Sequence, residues 1–280
     1  MILDQVVRIA APYVLAATAG VLAERSGTID IALEGKLLVA AFGTAIGSLA
    51  TGSALLGLGC GIGCAMLLAG VQALATVRLR ANHVVIGVAC NLLAAAATRF
   101  LLRLGYGSSS NSPRFADAFG PGLLVVAALL VAGTHLALSR TVLGLRLRAA
   151  GEHPEAAESL GVRVGPIRLA ALMLGAAVVG TGGALMAFEQ HGFVDGMSGG
   201  RGFIAIAALV LGRWRPLPTA AWAVGFATAE AGQIALQSAG IGAQSPLLHA
   251  LPHALTVIAL AGAAVRATAP RALGQPPPER

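Results

Sequence analysis

Charged side chains are scarce in this 280-residue chain: Asp, Glu, Lys and Arg make up 11% of it, against about 25% in soluble globular domains. Lysine occurs once, at Lys36. That shortage excludes an ordinary water-facing surface. Aromatics are also few, with eight Phe, two Trp and two Tyr. No basic patch interleaved with stacking rings can be drawn, so nucleic acid is excluded as a partner. The three cysteines, Cys60, Cys64 and Cys90, all fall in apolar stretches. Two sulfurs four residues apart with no histidine beside them make a poor metal site, and all three are read as buried, inert thiols. A phosphate-cradling ATP loop is missing too. Lys36 follows Gly35, but Asp30 stands where that motif needs its first glycine and Leu37 where it needs Ser or Thr, so the chain holds no ATP itself. Arg8 is the only positive charge ahead of the first apolar stretch, which is therefore expected to be a retained span rather than a cleaved leader.

What is there is apolar: 56% of the residues are hydrophobic. Stretches at 9–23, 37–50, 54–77, 84–104, 123–138, 169–188, 219–236 and 247–265 approach the ~20 residues that cross a bilayer. The expected fold is all-α, a polytopic membrane bundle of about nine transmembrane segments. The remaining stretch, 202–212, is too short to cross. It is read as a half-span paired with a re-entrant piece of the 189–201 loop, backbone that is tolerated only where protein or a cavity shields it. The 37 glycines include pairs spaced for close helix approach, Gly43/Gly47, Gly57/Gly61 and Gly59/Gly63. Residues 1–268 are read as one transmembrane domain and 269–280 as a disordered, proline-rich tail. Nine crossings divide the 19 Lys and Arg residues fourteen to five. The richer side, with the 141–168 loop and the C-terminus, is placed in the cytoplasm and the N-terminus outside.

The 141–168 loop is the longest polar interruption, with three glutamates and, counting Arg140, five arginines. A short helix is expected at its centre. Pro154 suits the first helical position, Glu155 and Glu158 lie near the positive end of its dipole, and Gly161 can take the left-handed terminating conformation. Ala156, Ala157 and Leu160 form its apolar face. Such a helix is either an incidental turn of a solvated loop or a knob on which a soluble partner docks.

Charges inside apolar spans are costly and usually functional. Glu230 lies in the eighth stretch, Asp30 and Glu34 in the polar break before the second, and Asn91 in the fourth. Each is a hydrogen-bonded group at a helix interface or a lining residue of a solute path. Gly196-Met197-Ser198-Gly199-Gly200 fits the G-x-S-x-G nucleophile pattern, with His249 and His253 as conceivable bases. Without strand–turn–helix support the match is discounted, and the chain is not read as an enzyme.

Five segments together resemble one family. Glu24-Arg25-Ser26-Gly27 through Glu34-Gly35, the VVIGVACNLL segment at 84–93, GLRLRAAGEHPEAAESLGV at 144–162, GMSGGRGFIAIA at 196–207 and Gly212-Arg213-Trp214-Arg215-Pro216 are similar, in order, to blocks of the permease subunits of nucleoside- and simple-sugar-type ABC importers, in the branched-chain amino acid and ribose permease superfamily. Asp30, Ala32 and His153 depart from the family pattern. The resemblance implies a subunit of the bacterial cytoplasmic membrane that works with a second permease chain, an ATPase that consumes the ATP, and an extracytoplasmic solute-binding lipoprotein. It implies no cofactor on this chain. It makes Glu152, His153, Pro154, Glu155, Ala156, Ala157, Leu160 and Gly161 the ATPase-coupling helix. Asp30, Glu34, Asn91, Ser198 and Glu230 are the candidates for the translocation path. The alternative of another class is a proton-coupled secondary transporter using Glu230 and Glu34, which would favour an internal repeat that the sequence does not show.

Overall fold

The computed structural model describes residues 2–116, 119, 122–238, 254, 256–259, 261–262 and 268–278. Among these the chain is helical throughout, apart from turns and one isolated bridge between Asn111 and Val194. In order come α1 (Ile2–Arg25), α2 (Leu33–Thr51), α3 (Ala54–Ala73) with a π-helical turn at Leu74–Arg78, α4 (His83–Tyr106), α5 (Gly122–Arg140), α6 (Val142–Glu152), α7 (Pro154–Ser159), α8 (Val164–Gln190), α9 (Arg201–Leu211) and α10 (Pro216–Ser238). Among the described residues six helices are long and apolar enough to cross a membrane: α1 to α5 and α8. The expected ninth segment at 247–265, with His249 and His253, lies largely outside the described residues, as do Arg266 and Arg280.

Burial sorts the spans into two classes. The apolar windows of α1, α2 and α8 are 72%, 67% and 72% buried, whereas those of α3, α4 and α5 are 28%, 22% and 28% buried. The first three are the core, and small residues let them close on one another. A side chain at Gly183 of α8 would collide with the Leu37 carbonyl of α2. Two of the three spaced pairs work the same way between α2 and α3, whereas a β-carbon at Gly59 or Gly63 would meet no atom within 4 Å. Gly43 and Gly47 receive Cys64 and Cys60, while Gly57 and Gly61 receive Ser48 and Thr44. With no apolar–water difference to drive association in lipid, this close packing supplies the attraction. Of the thiols only Cys90 is buried; Cys60 is exposed and Cys64 half-buried.

The short stretch is indeed a short helix. At 11 residues, α9 spans about 16 Å, half of a bilayer core. The chain reaches it from the end of α8 through turns at 191–200 rather than through a second full span.

Two expectations need correction. The 141–168 segment is not a loop with one helical turn, because α6 precedes α7. Thr141 caps it, accepting from the Gly144 N–H at 3.1 Å, and Leu147 and Ala150 face inward. The tail is not disordered where it is described. Ala272 N–H donates to Gly151 O and Gly274 N–H to Gly27 O, each at 2.9 Å, and the buried Arg168 guanidinium donates to Ser26 O at 3.1 Å and Gln275 O at 2.5 Å. Proline content signalled disorder, but these backbone bonds satisfy the segment.

Candidate functional site

The break between α1 and α2 gathers several of the buried polar side chains. Asp30 and Lys36 are 1% and 0% exposed and pair at 2.7 Å, and Gln72 of α3 donates to the same carboxylate at 3.1 Å. Asp30 is therefore enclosed and matched in charge. Asn91 of α4 clamps the same break from the side. Its Oδ1 accepts from Gly35 N–H at 2.8 Å and its Nδ2 donates to Ile31 O at 2.9 Å, so one side-chain amide replaces two backbone partners that an irregular segment lacks.

Glu34 faces the start of α9. Its two carboxylate oxygens accept from Gly200 N–H at 2.8 Å and Gly202 N–H at 2.7 Å. Helix N-termini present unpaired N–H groups and a positive dipole end, and here a carboxylate from another helix fills that role. The fit demands glycine, since a β-carbon at position 202 would strike the Glu34 backbone. Ser198, 2% exposed, belongs to the turn before this junction, and its carbonyl accepts from Arg201 N–H at 2.9 Å.

Glu230 of α10 stands in a third cluster. It accepts from Tyr13 OH at 2.5 Å and from Arg201 at 2.8 Å, and the Arg201 guanidinium lies 5.8 Å from the Tyr13 ring centre, within cation–π range. Above this cluster is a cavity of about 560 Å³ lined in part by Gln5, Arg8, Glu189, Gln190, Met197 and Arg201. The candidate path residues thus fall into separate arrangements. Asp30, Glu34 and Asn91 converge on the α1–α2 break, and Glu230 sits beside the polar cavity. Among the described residues no group of three or more His, Cys, Asp or Glu side chains has a geometry that could hold a metal.

At the end of the bundle that carries α7, Trp214 Nε1 donates to Glu24 at 2.6 Å, while Arg25 Nε donates to Trp214 O at 2.9 Å. Arg25 also lies 3.6 Å from Glu152. The α7 helix follows directly. Pro154 occupies its first turn, and Gly161, at φ 82°, closes it with Gly161 N–H on Glu158 O and Val162 N–H on Ala157 O, both at 2.9 Å. Its apolar face is split. Ala157 is buried against Ala150 and Val164, whereas Ala156 is exposed and Leu160 is 83% exposed. The single apolar face read from the sequence fails because Ala156 and Ala157, adjacent on a helix, point about 100° apart.

The family model described as "Branched-chain amino acid transport system / permease component" matches residues 2–260. The chain belongs to that permease family. It is 33% identical to the guanosine ABC transporter permease protein NupQ of Bacillus subtilis, over 95% of this chain and 93% of that one. It is 31% identical to the nucleoside ABC transporter permease protein NupC of Lactococcus lactis, over 94% and 92%. It is also 31% identical to the putative glucose ABC transporter permease protein TsgC13 of Haloferax volcanii, over 95% and 92%. No solved structure matches the chain.

The motif blocks of this permease meet in space. Glu24 and Arg25 bind Trp214, Glu34 binds the glycines that flank Arg201, and Asn91 closes over Gly35. Four residues of these clusters escaped the sequence reading: Tyr13, Lys36 as an ion-pair partner, Gln72 and Arg168. The isolation of Lys36 as the sole lysine was a usable signal, since a cation beside a membrane carboxylate implies a pair. Tyr13 and Gln72 carry no such mark.

Proposed function

We propose that this permease is the passive membrane gate of an ATP-binding cassette importer for nucleosides or similarly small, polar, uncharged solutes. The solute class rests on the guanosine and nucleoside permeases that it resembles at 33% and 31% identity over nearly its whole length. In this reading the chain spans a bacterial cytoplasmic membrane nine times, with α7 and the C-terminus inside. It pairs with a second permease chain or a second copy of itself, receives solute from an extracytoplasmic binding lipoprotein, and leaves ATP hydrolysis to a separate subunit.

The observation that carries the coupling role is the shape of α7. It is a capped six-residue helix that turns Ala156 and Leu160 outward while Ala157 anchors it, so a groove on an ATPase could grip it without unfolding anything. Arg25 and Glu152 connect its base to the α1–α2 break. A push on α7 would then reach the core helices, which repack between discrete arrangements rather than deform smoothly. Glu34 and Glu230 are both engaged, the first by two backbone N–H groups and the second by Arg201 and Tyr13. This disfavours them as proton carriers.

The test is Ala156→Arg in membrane vesicles. Insertion and protein level stay unchanged, while ATP-dependent nucleoside uptake falls roughly tenfold or more, equivalent to about 1.4 kcal/mol of lost docking. Full uptake by this variant, or uptake abolished by a protonophore but not by ATP depletion, overturns the reading.

A further inference from the structure

A cavity of about 490 Å³ opens between the end of α5 and the start of α10, and none of the roles above uses it. Two apolar spans stop at it. Arg25 is the last residue of the span Gln5–Arg25, and Ser139 is the last but one of the span Gly122–Arg140. An apolar span ends where the hydrocarbon does, which sets the cavity at the level of the lipid headgroups. Leu138, Pro216 and Leu217 make part of its wall apolar. Leu217 is 51% exposed, and Leu136, about one turn before Ser139 on α5, is 56% exposed. The two helices that frame the cavity thus turn apolar surface outward beside it.

Its polar lining is basic. Arg25 comes from α1, Arg148 from α6 and Arg215 from the turn into α10. Arg25 is matched: it lies 3.6 Å from Glu152 and donates to Trp214 O. Arg148 donates to a backbone carbonyl, Gly144 O, at 3.4 Å, and Arg215 is exposed. Among the described residues neither Arg148 nor Arg215 forms an ion pair. The other carboxylate close by, Glu24, is 4% exposed and taken by the Trp214 indole N–H at 2.6 Å. Even with Glu24 and Glu152 both counted as charged, three guanidiniums leave one positive charge in excess, the complement of one phosphodiester. Like charges brought together from three segments repel, and an anion held between them relieves the repulsion.

We propose that this cavity is a binding site for the headgroup of an anionic glycerophospholipid of the phosphatidylglycerol type. The phosphodiester lies between Arg148 and Arg215, whose planar forks match paired phosphate oxygens, and the glycerol carbons rest on Leu138, Pro216 and Leu217. Basic pockets between membrane helices take anionic headgroups by the same electrostatics. The site needs only that the chain spans a membrane, and it holds whether or not α7 docks an ATPase.

The experiment is native mass spectrometry of the purified full-length protein with equimolar phosphatidylglycerol and phosphatidylcholine. Thermal unfolding is measured alongside to establish that each variant is folded. The wild type retains phosphatidylglycerol preferentially, and millimolar inorganic phosphate does not displace it. Arg148→Gln and Arg215→Gln each lower that preference roughly fivefold, the value of one arginine at a membrane surface. Ser139→Glu, at an exposed position of the lining, cancels the excess charge and lowers the preference at least as far. Arg146→Gln, on α6 but outside the cavity, leaves it as it was. Equal retention of the two lipids by the wild type, displacement by inorganic phosphate, an equal loss from Arg146→Gln, or an unchanged preference in any folded variant of the lining each overturns the site. Arginine variants that keep the lipid but no longer co-purify with an ATPase subunit overturn it as well, and assign the two charges to a protein partner.

Discussion

Asp30 and Lys36 are sealed from solvent and bind each other and Gln72, whereas α7 turns Ala156 and Leu160 outward and has Ala157 as its one buried residue. Both regions are polar interruptions between apolar spans, and composition alone does not separate them. What separates them is where the polar groups find partners. At the α1–α2 break the partners are internal, and the chain gains a fixed joint to which α3, α4 and α9 are tied. At α7 the backbone is satisfied by its own turns, and Ala156 and Leu160 face outward. The proposed coupling draws on both: a joint stiff enough to carry a displacement, and a knob that can be gripped without loosening that joint.

The sharpest way to break the contrast is to remove one half of the buried pair. Lys36→Met leaves the Asp30 carboxylate enclosed with only Gln72, and losing one partner of a buried ion pair costs about 3–5 kcal/mol. The expected outcome is a large fall in the unfolding temperature of the purified protein. The double change Asp30→Leu with Lys36→Met should recover much of that loss, because two matched apolar groups carry no orphaned charge. A single variant as stable as the wild type would mean that the joint is not electrostatic.

A smaller effect is expected at the next tie. Gly202→Ala pushes a methyl into the backbone of Glu34, and overpacking of this kind costs about 1–3 kcal/mol. The same change weakens the two N–H bonds to the Glu34 carboxylate, so thermal stability and uptake should fall together. Stability lost with uptake intact would show that the α2–α9 junction serves folding alone.

The sequence carried the periodic and terminal features of the fold but little of its three-dimensional pairing. Helix α7 was legible because Pro154, the glutamates and Gly161 are local signals with local causes. The half-length of α9 was legible because rise per residue fixes what eleven residues can span. Helix α6 was missed because its arginines read as loop, although Thr141 and the inward spacing of Leu147 and Ala150 mark it. The union of Tyr13, Arg201 and Glu230 was not legible, since 217 positions separate the first from the last and no periodicity relates them. The tail was misread for the opposite reason. Proline richness is a local signal, and hydrogen bonds to Gly27, Gly151 and Arg168 override it from far along the chain.

The finest division lies within α7 itself. Ala157→Arg forces a charge against Ala150 and Val164 and should unseat the helix, so protein level and uptake decline together. Leu160→Ala removes only solvent-facing apolar surface from a residue that is 83% exposed. Exposed positions of this kind shift stability by no more than about 0.5 kcal/mol, yet uptake should fall several-fold if the surface is a docking contact, because interface truncations above about 1 kcal/mol are confined to side chains that a partner buries. The two variants therefore move stability and uptake in different proportions. Should Leu160→Ala leave ATP-dependent uptake at the wild-type rate, the outward half of α7 would be ordinary surface, and the grip on this permease would have to be sought elsewhere on the same end of the bundle.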